Sequence, residues 1–411
     1  MTSGTLPPSS EAAGRAMAQA PAAARAALAL LRHLKAGTLV VRTPDGATHQ
    51  SVGASQPELH AVLDVHDWSA FTATLRAGDI GFAETFMAGA WTTPQLADLL
   101  RLILANREVI SKAIYGSWWG SLLHRLQHAL NRNTRRGSKR NIQAHYDLGN
   151  DFYVLWLDAT MTYSSAWFDG DRTQSLEFAQ TAKLQRAIAA TGVRPGQRLL
   201  EIGCGWGAVA EAAARGGVDV VGVTLSKEQL AWARARLARA GVADRADLRL
   251  QDYRDVPDGP FDAIVSVEMF EAVGREYWDA YFRTVQRQLK PGGKACIQAI
   301  VIRDDLFERY ARSPDFIQRY VFPGGMLPST ALFEQHARGA GLRVVERFAF
   351  GSDYAETLRR WRHVFLARLD EVRAQGFDER FIRLWEFYLA YCEAAFDAGN
   401  TDVIQFTLQR D

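Results

Sequence analysis

The sequence has few cysteines, almost no net charge and no long apolar run, and each of these excludes a class of protein. Only three cysteines, Cys204, Cys296 and Cys392, occur among 411 residues, and they lie far apart. Neither a disulfide framework nor a cysteine-ligated zinc site is expected, and no metal is predicted. The 48 Lys and Arg residues nearly balance the 46 Asp and Glu residues. A dedicated nucleic-acid-binding protein carries a larger basic excess, so no nucleic-acid partner is predicted.

The length and composition indicate a globular protein. No apolar run approaches the roughly 20 residues that are needed to span a bilayer. The chain is 48% hydrophobic and 23% charged, which is typical of folded rather than disordered proteins. At roughly 100–200 residues per domain, the length favours two domains, and we expect a cytoplasmic protein.

The first part of the chain carries no catalytic motif. Residues 1–35 are rich in alanine and predict a mobile leader running into a helix rather than a targeting segment. Residues 36–130 predict a small mixed α/β domain, and its expected task is binding or positioning. Its elements are a strand, a turn and two helices, predicted at 38–42, 44–46, 68–86 and 93–106.

A basic linker, residues 131–141, follows this domain. Its five basic residues are Arg132, Arg135, Arg136, Lys139 and Arg140. One interpretation is a solvated hinge. The other is contact with an anionic lipid surface, where each basic residue contributes about 1 kcal/mol. An aromatic and aliphatic stretch just before the linker, including Trp118 and Trp119, favours the lipid interpretation.

From residue 142 to residue 411, strands alternate with helices, which is typical of a parallel α/β sheet. A helical stretch at 355–397 is inserted before the last strand. The pattern therefore predicts a seven-stranded, Rossmann-like sheet with a helical insertion. The strands are predicted at 198–202, 218–223, 248–250, 261–267, 294–300, 342–348 and 403–408.

A glycine-rich loop follows the first of these strands. It reads Glu201-Ile202-Gly203-Cys204-Gly205-Trp206-Gly207. Its glycines allow a tight turn and a close approach to a ligand at the start of the next helix. The spacing Gly-x-Gly-x-Gly does not meet the dinucleotide fingerprint. Glu201, two residues before the first glycine, is typical of S-adenosylmethionine sites.

The residues after the next two strands complete this predicted site. Thr224 stands where many methyltransferases carry an acidic residue for the ribose hydroxyls, and both Thr224 and Gln229 can hydrogen-bond instead. Asp252 and Tyr253, after the third strand, are expected to flank the adenine.

From about residue 37 to the end, the chain resembles the cyclopropane-fatty-acyl-phospholipid synthase family, which includes the mycolic-acid cyclopropane synthases. The resemblance implies a class I methyltransferase fold. It is carried by the glycine loop and by the motifs His145-Tyr146-Asp147-Leu148-Gly149-Asn150, Met161-Thr162-Tyr163-Ser164-Ser165, Thr224-Leu225-Ser226, Glu268-Met269-Phe270-Glu271-Ala272-Val273-Gly274 and Tyr320-Val321-Phe322-Pro323-Gly324-Gly325.

The resemblance also implies a reaction. S-adenosylmethionine would supply a methylene group to the cis double bond of an unsaturated phospholipid acyl chain, forming a cyclopropane ring. A carbocation would be deprotonated by bound bicarbonate. The alternative is loss of a different proton, which gives a methyl- or methylene-branched fatty acid. The enzyme would sit peripherally on the inner face of the membrane, where a homodimer would engage two lipid-binding domains.

The family's site residues carry over by motif. Ser165 and Gln298 depart from the best-known bacterial pattern, which has cysteine and histidine there. Cys392 matches a cysteine assigned to the active site, although alkene methylation needs no covalent intermediate and a buried helix cysteine is the other interpretation. The residues implied for bicarbonate are Ser165, Glu271, Gln298, Ile300 and Tyr354. Those implied for S-adenosylmethionine are Tyr163, Ser164, Glu201, Gly203, Cys204, Gly205, Gly207, Thr224, Leu225, Gln229, Asp252 and Tyr253.

Aromatic side chains are candidates for stabilising the cation through their faces. Packing of the helical insertion is the competing interpretation for most of them. The candidates are Tyr163, Trp167, Phe270, Phe322, Tyr354, Trp361, Trp385, Tyr388 and Tyr391.

Two other classes of protein fit the sequence less well. An amino-methylating nucleic-acid enzyme would carry Asn/Asp-Pro-Pro-Tyr/Phe where this chain has Val267-Glu268-Met269-Phe270. A cytosine methyltransferase would need a Pro-Cys nucleophile, and none of the three cysteines follows a proline. A non-catalytic lipid-binding module is disfavoured by the intact glycine loop and Glu271.

Overall fold

The computed structural model describes residues 20–114 and 148–411, without the side chains of 111–114. They form two units. In the described part of the chain, the first unit consists of residues 20–114 and Phe377–Ala398. The second unit consists of residues 148–376 and Gly399–Asp411. The basic linker, the aromatic stretch before it and His145 to Asp147 lie outside the described residues.

The first unit contains a four-stranded sheet in the order β2-β1-β3-β4. β1 is antiparallel to β2 and parallel to β3, and β4 is antiparallel to β3. The strands are β1 (Ala36–Arg42), β2 (Thr48–Val52), β3 (Ser55–Val65) and β4 (Trp91–Thr92). The helices are Ala22–Leu31, Ser69–Met87, Leu96–Ala105, Arg107–Ile114 and Glu379–Asp397. The predicted strand at 38–42 and both predicted helices are confirmed.

The helix into which the leader at 1–35 was expected to run is confirmed. Residues Ala22–Leu31 form a helix that buries Ala24 and Leu28. Alanine has the highest helix propensity, and these two side chains share one face because they lie four residues apart. This helix therefore belongs to the folded unit.

The helical insertion predicted at 355–397 is divided between the units. Gly351–Ala367 and Leu369–Ala374 belong to the second unit, whereas Glu379–Asp397 belongs to the first. In the latter helix, the fully buried ring of Phe387 lies 5.7 Å from that of Phe86 and 6.5 Å from that of Trp91. Aromatic burial of this kind is a large apolar contribution. The stretch is helical as predicted, but this last helix belongs to the first unit and not to the domain at 142–411.

Replacing Phe387 by alanine tests this assignment. We expect the first unit to lose about 3–5 kcal/mol in its free energy of unfolding, because a buried aromatic leaves a cavity. Hydrogen exchange should report faster opening of Ser69–Met87 and Leu96–Ala105. Phe178→Ala is the matched control, since Phe178 is 62% exposed, and we expect a change within about 0.5 kcal/mol. Loss of protection in the second unit alone would contradict the assignment.

The second unit contains a seven-stranded sheet in the order β10-β11-β9-β8-β5-β6-β7. The run from β9 to β7 is parallel, and β11 is antiparallel to both β9 and β10. The strands are β5 (Arg198–Ile202), β6 (Asp219–Thr224), β7 (Ala246–Leu250), β8 (Phe261–Val267), β9 (Leu289–Ile302), β10 (Leu342–Ala349) and β11 (Thr401–Arg410). All seven strand predictions, and with them the α/β fold class, are confirmed.

Helices cover both faces of this sheet. Leu199 and Ala263 belong to the apolar cluster on one face, whereas Leu200 and Ile264 belong to that on the other. The α-helices are Asn150–Val154, Leu176–Thr191, Ala208–Arg215, Lys227–Arg239, Trp278–Gln288, Asp304–Arg312, Phe316–Tyr320, Thr330–Gly339, Gly351–Ala367 and Leu369–Ala374. In an open sheet of this kind, ligands bind beyond the carboxyl ends of the parallel strands. In the described part of the chain, no helix is long and apolar enough to cross a bilayer.

Candidate active site

A pocket lies at the carboxyl ends of β5, β6 and β8. The glycine loop forms one wall, and the amide N–H groups of Gly203 and Cys204 donate to Val223 O at 3.0 and 2.9 Å. Gly203 has a φ of +83°, and a Cβ there would lie 2.9 Å from Met269 Cγ. Only glycine fits this backbone without strain. The loop is therefore shaped for close approach of a ligand.

Glu201 lies buried beneath this loop, with 3% of its surface exposed. Burial raises the pKa of this carboxyl well above its usual value. Among the described residues, no donor reaches its Oε2 atom. A buried polar atom without a partner is costly, so this atom is suited to a polar or cationic group of a ligand. Burial also raises the pKa of the neighbouring Cys204 thiol, which disfavours a thiolate.

The end of β6 presents neutral polar groups to the pocket. The hydroxyl of Thr224 donates to Oε1 of Gln229 at 3.0 Å. The side chain of Ser226 caps the next helix by accepting from the amide N–H of Gln229. Thr224 and Gln229 both line the pocket, where a hydroxyl and an amide can bind ribose hydroxyls in place of a carboxylate.

Beyond β7, Asp252 and Tyr253 line the pocket together with Arg254. Nε of Arg254 donates to Oδ1 of Asp252 at 2.8 Å. Burial raises the pKa of the Tyr253 phenol, so this side chain stays neutral. All residues expected to bind S-adenosylmethionine line this pocket except Gly207, which precedes the helix Ala208–Arg215. Together with the glycine loop and Glu201 Oε2, they fit that molecule, which supplies an electrophilic methyl carbon when bound.

Glu268, the residue after β8, has a carboxylate that accepts three hydrogen bonds from distant parts of the chain. Its Oε1 accepts from the Ser165 amide N–H at 2.9 Å and from Gln298 Nε2 at 2.7 Å. Its Oε2 accepts from the Tyr354 hydroxyl at 2.6 Å. Glu268 was not among the site residues predicted from the sequence. Its position directly after a central parallel strand was the signal that could have found it.

The residues expected to hold bicarbonate divide into two groups. Ser165, Gln298 and Tyr354 all donate to Glu268. The other two contact each other, because the Ile300 amide N–H donates to Glu271 Oε1. A second anion would need the same three donors and would face the charge of Glu268. Bound bicarbonate therefore does not fit the residues as the structure places them.

Two further ionisable groups face Glu268. Burial and the charge of Glu268 raise the pKa of Glu271 to about 8. Burial lowers the pKa of the fully buried Lys183 to about 8, against the charges of Glu268 and Asp158. Nζ of Lys183 donates to the Ser164 hydroxyl. At neutral pH, Glu271 is largely protonated and Lys183 is largely charged, so Glu268 has a cationic neighbour.

A chain of hydrogen bonds fixes the orientation of the Gln298 amide. Arg186 has only donors, and its Nη1 donates to Gln405 Oε1 at 2.7 Å. Nε2 of Gln405 therefore donates to Gln298 Oε1, at 3.0 Å. Nε2 of Gln298 must then point at Glu268. Arg186, Gln405 and Lys183 were not predicted from the sequence, because they lie on elements with no recognisable motif.

An aromatic group surrounds the same region of the second unit. The ring of Trp361 lies 5.6 Å from that of Tyr163 and 6.2 Å from that of Tyr354. Trp156, which sequence analysis did not select, lies 5.6 Å from Trp361. Phe270 instead packs in the core, with its ring 5.0 Å from that of Tyr281. The helix Glu379–Asp397, which belongs to the first unit, carries four further residues that were candidates from the sequence: Trp385, Tyr388, Tyr391 and Cys392.

Replacing Ser165 by alanine or by cysteine should have a small effect. The donor to Glu268 is the backbone N–H, whereas the hydroxyl donates to Ala166 O at 2.9 Å. We expect kcat to stay within about threefold of the wild type, equivalent to less than 1 kcal/mol. Steady-state kinetics with each variant measure this. A hundredfold loss in both would show that the hydroxyl itself takes part.

The seven-stranded sheet with antiparallel β11, the glycine loop after β5 and the pocket beside it define a class I S-adenosylmethionine-dependent methyltransferase. The family model described as mycolic acid cyclopropane synthetase matches residues 133–406. The chain belongs to this family.

Relatives of known name support the membership. The tuberculostearic acid methyltransferase UfaA1 of Mycobacterium tuberculosis is 40% identical over 370 residues, which cover 88% of this chain and 86% of the relative. The cyclopropane-fatty-acyl-phospholipid synthase of Escherichia coli K12 is 36% identical over 351 residues, covering 83% and 85%. The crystal structure of mycolic acid cyclopropane synthase CmaA1 with SAH and CTAB is 35% identical. It aligns with a TM-score of 0.62 over 66% of this chain and 98% of that one.

Proposed function

We propose that this protein transfers a one-carbon unit from S-adenosylmethionine to the cis double bond of an unsaturated phospholipid acyl chain and closes a cyclopropane ring. One observation carries the proposal: the glycine loop with Glu201 and the hydrogen-bonded carboxylate of Glu268 line the same pocket. A methyl donor and a base at one site are what this reaction requires. The cyclopropane synthases among the relatives support it.

The chain's own residues meet the physical demands of this chemistry. An alkene is an uncharged and weak nucleophile, so its attack leaves a cation on the acyl chain. The faces of Tyr163, Trp361 and Tyr354 can stabilise a cation by cation–π attraction. Trp361 and Tyr354 are buried, which limits capture of the cation by water.

A second candidate product is a methyl- or methylene-branched fatty acid. The 40% identity to a tuberculostearic acid methyltransferase over 88% of the chain favours it. Both products begin with the same attack by the alkene, so one pocket serves either. Mild catalytic hydrogenation of the released fatty acids distinguishes a ring, which resists it, from a methylene group, which takes up hydrogen.

The test compares vesicles that differ only in the acyl chain. The purified full-length chain is incubated with methyl-labelled S-adenosylmethionine and dioleoyl, dielaidoyl or distearoyl phospholipid with the same head group. We expect label in the released fatty acids of the cis-unsaturated lipid and none from the saturated lipid. Label that enters the dioleoyl and distearoyl lipids equally would contradict the proposal. Label that stays with the head group after hydrolysis would also contradict it.

Presentation of the lipid at a membrane surface is part of the same proposal. The first unit would help to capture the phospholipid, and the enzyme would bind the inner face of the membrane peripherally. The homodimer expected from the sequence stays a prediction. Co-sedimentation with anionic and with neutral vesicles tests the surface binding. We expect the protein to sediment with vesicles, and a protein that sediments with neither kind would contradict the proposal.

A further inference from the structure

Glu268 is the acidic side chain that the hydrogen-bond geometry of the pocket favours as a base. Three donors hold it: the amide N–H of Ser165, the amide of Gln298 and the hydroxyl of Tyr354. It is half-buried and lines the pocket, beside Met161 to Ser164 and the glycine loop. Three converging donors fix the carboxylate in place and favour its ionised form.

We propose that Glu268 is the catalytic base of this enzyme and acts in place of the bicarbonate that the family resemblance implies. The inference rests on the proposed function. It follows from occupancy of the site, since three of the five residues expected to bind bicarbonate already donate to the Glu268 carboxylate. These three donors therefore hold the carboxylate of Glu268 and not a bound bicarbonate ion.

The step balances with the substrates of the proposed reaction alone. The π electrons of the alkene form a bond to the donated methyl carbon, and the electron pair of the broken carbon–sulfur bond stays on sulfur. The acyl chain then carries the positive charge. Glu268 takes one proton from the transferred carbon, and the electron pair of that carbon–hydrogen bond forms the third bond of the ring. The proton passes from Glu268 to solvent after product release.

The charged and titratable groups around Glu268 are consistent with this role. Lys183, Tyr354 and Glu271 face it. Burial raises the pKa of Glu268, while the charge of Lys183 and the three hydrogen bonds oppose that shift. A base needs a pKa near the working pH together with a populated ionised form. Glu271 is largely protonated at neutral pH, so it is the weaker candidate.

The backbone of Glu268 offers a clean way to remove the carboxylate. Its φ is +49°, in the left-handed region that favours glycine. Glu268→Gly therefore relieves backbone strain while it leaves the three donors without their anion. Glu268→Gln keeps the shape of the side chain but cannot accept the proton. Glu308→Gln is the matched control, because Glu308 is an exposed partner of Arg312 far from these contacts in sequence.

The first experiment measures turnover with and without bicarbonate. Product is quantified by mass spectrometry in buffer purged of carbon dioxide and after addition of sodium bicarbonate. We expect the wild type and Glu308→Gln to turn over equally in both buffers. Glu268→Gln should lose about two to four orders of magnitude in kcat, the usual contribution of a general base. Calorimetry with S-adenosylmethionine should show unchanged affinity in the variant.

The second experiment reads binding directly. The carbon-13 NMR resonance of labelled bicarbonate should broaden when Glu268→Gly is added. It should not broaden when the wild type is added. In the purged buffer, the kcat of Glu268→Gly should be at least about a hundredfold below that of the wild type. Saturating bicarbonate should raise the kcat of this variant at least about tenfold. Rescue with saturation would show that the donors around Glu268 form an anion site.

Two results would overturn the inference. One is a wild type that loses turnover in purged buffer and regains it with bicarbonate. The other is near-normal turnover in Glu268→Gln. The failure of the proposed function has a different signature, since the wild type would then form no labelled acyl product with any of the lipids in either buffer.

Discussion

Replacing Tyr354 by phenylalanine is expected to lower kcat by about 10- to 100-fold near neutral pH. The Tyr354 hydroxyl donates to Oε2 of Glu268 at 2.6 Å. A hydrogen bond to a charged group contributes about 1.5–3 kcal/mol, which corresponds to that range in rate. The substitution keeps the ring, so the contact with Trp361 at 6.2 Å is expected to persist.

The pH profile of this variant should shift in a defined direction. A donor to the ionised carboxylate lowers the pKa of Glu268, so removing the donor raises it. A base works only when ionised. The acidic limb of kcat against pH should therefore move to higher pH in Tyr354→Phe. Lys183 and Glu271 also face Glu268, and both titrate near pH 8, so the alkaline side reports on them as well.

Tyr391→Phe is a matched control for this experiment. Its hydroxyl also donates to a carboxylate, that of Asp79 at 3.2 Å, but both residues belong to the first unit. We expect the acidic limb to stay in place in this variant. An unchanged acidic limb in Tyr354→Phe would contradict the role of the Tyr354–Glu268 hydrogen bond.

Replacing Gly203 by alanine is expected to weaken S-adenosylmethionine binding by about 30-fold or more. Two penalties combine. A φ of +83° strains any residue with a Cβ, at about 1–2 kcal/mol. The added Cβ would also lie 2.9 Å from Met269 Cγ, so the glycine loop or Met269 must move. Every 1.4 kcal/mol is a tenfold change in affinity.

Gly192→Ala separates strain from displacement of the loop. Gly192 has a φ of +69°, but no heavy atom lies within 4 Å of an added Cβ, and it ends the helix Leu176–Thr191. We expect a similar loss of stability and an unchanged dissociation constant by calorimetry. Equal affinity in Gly203→Ala and in the wild type would show that the loop does not hold the ligand.

Local sequence patterns predicted the sheet and the methyl-donor part of the site. All seven strands of the second unit were predicted from short apolar runs that alternate with helical patterns, which is typical of a parallel α/β sheet. The glycine loop was found because its backbone needs glycine at fixed positions. Both features depend on neighbours in sequence.

The rest of the site depends on contacts between distant residues. Glu268 receives hydrogen bonds from Ser165, Gln298 and Tyr354, which are 103, 30 and 86 positions away. Gln405 orients Gln298 across two paired strands. A local sequence pattern cannot predict such contacts between distant residues. The helix Glu379–Asp397 was assigned to the wrong unit for the same reason, since an apolar face does not name the surface that it packs against.

The most direct test of the central claim uses S-adenosylmethionine with a trideuterated methyl group and vesicles of monounsaturated phospholipid. The fatty acids are released, hydrogenated mildly and analysed by gas chromatography and mass spectrometry. Transfer to the alkene followed by proton loss to the base predicts a product that keeps two deuterium atoms and resists hydrogenation. A product that keeps all three in a methyl branch, or that carries no deuterium in the acyl chain, would contradict the account.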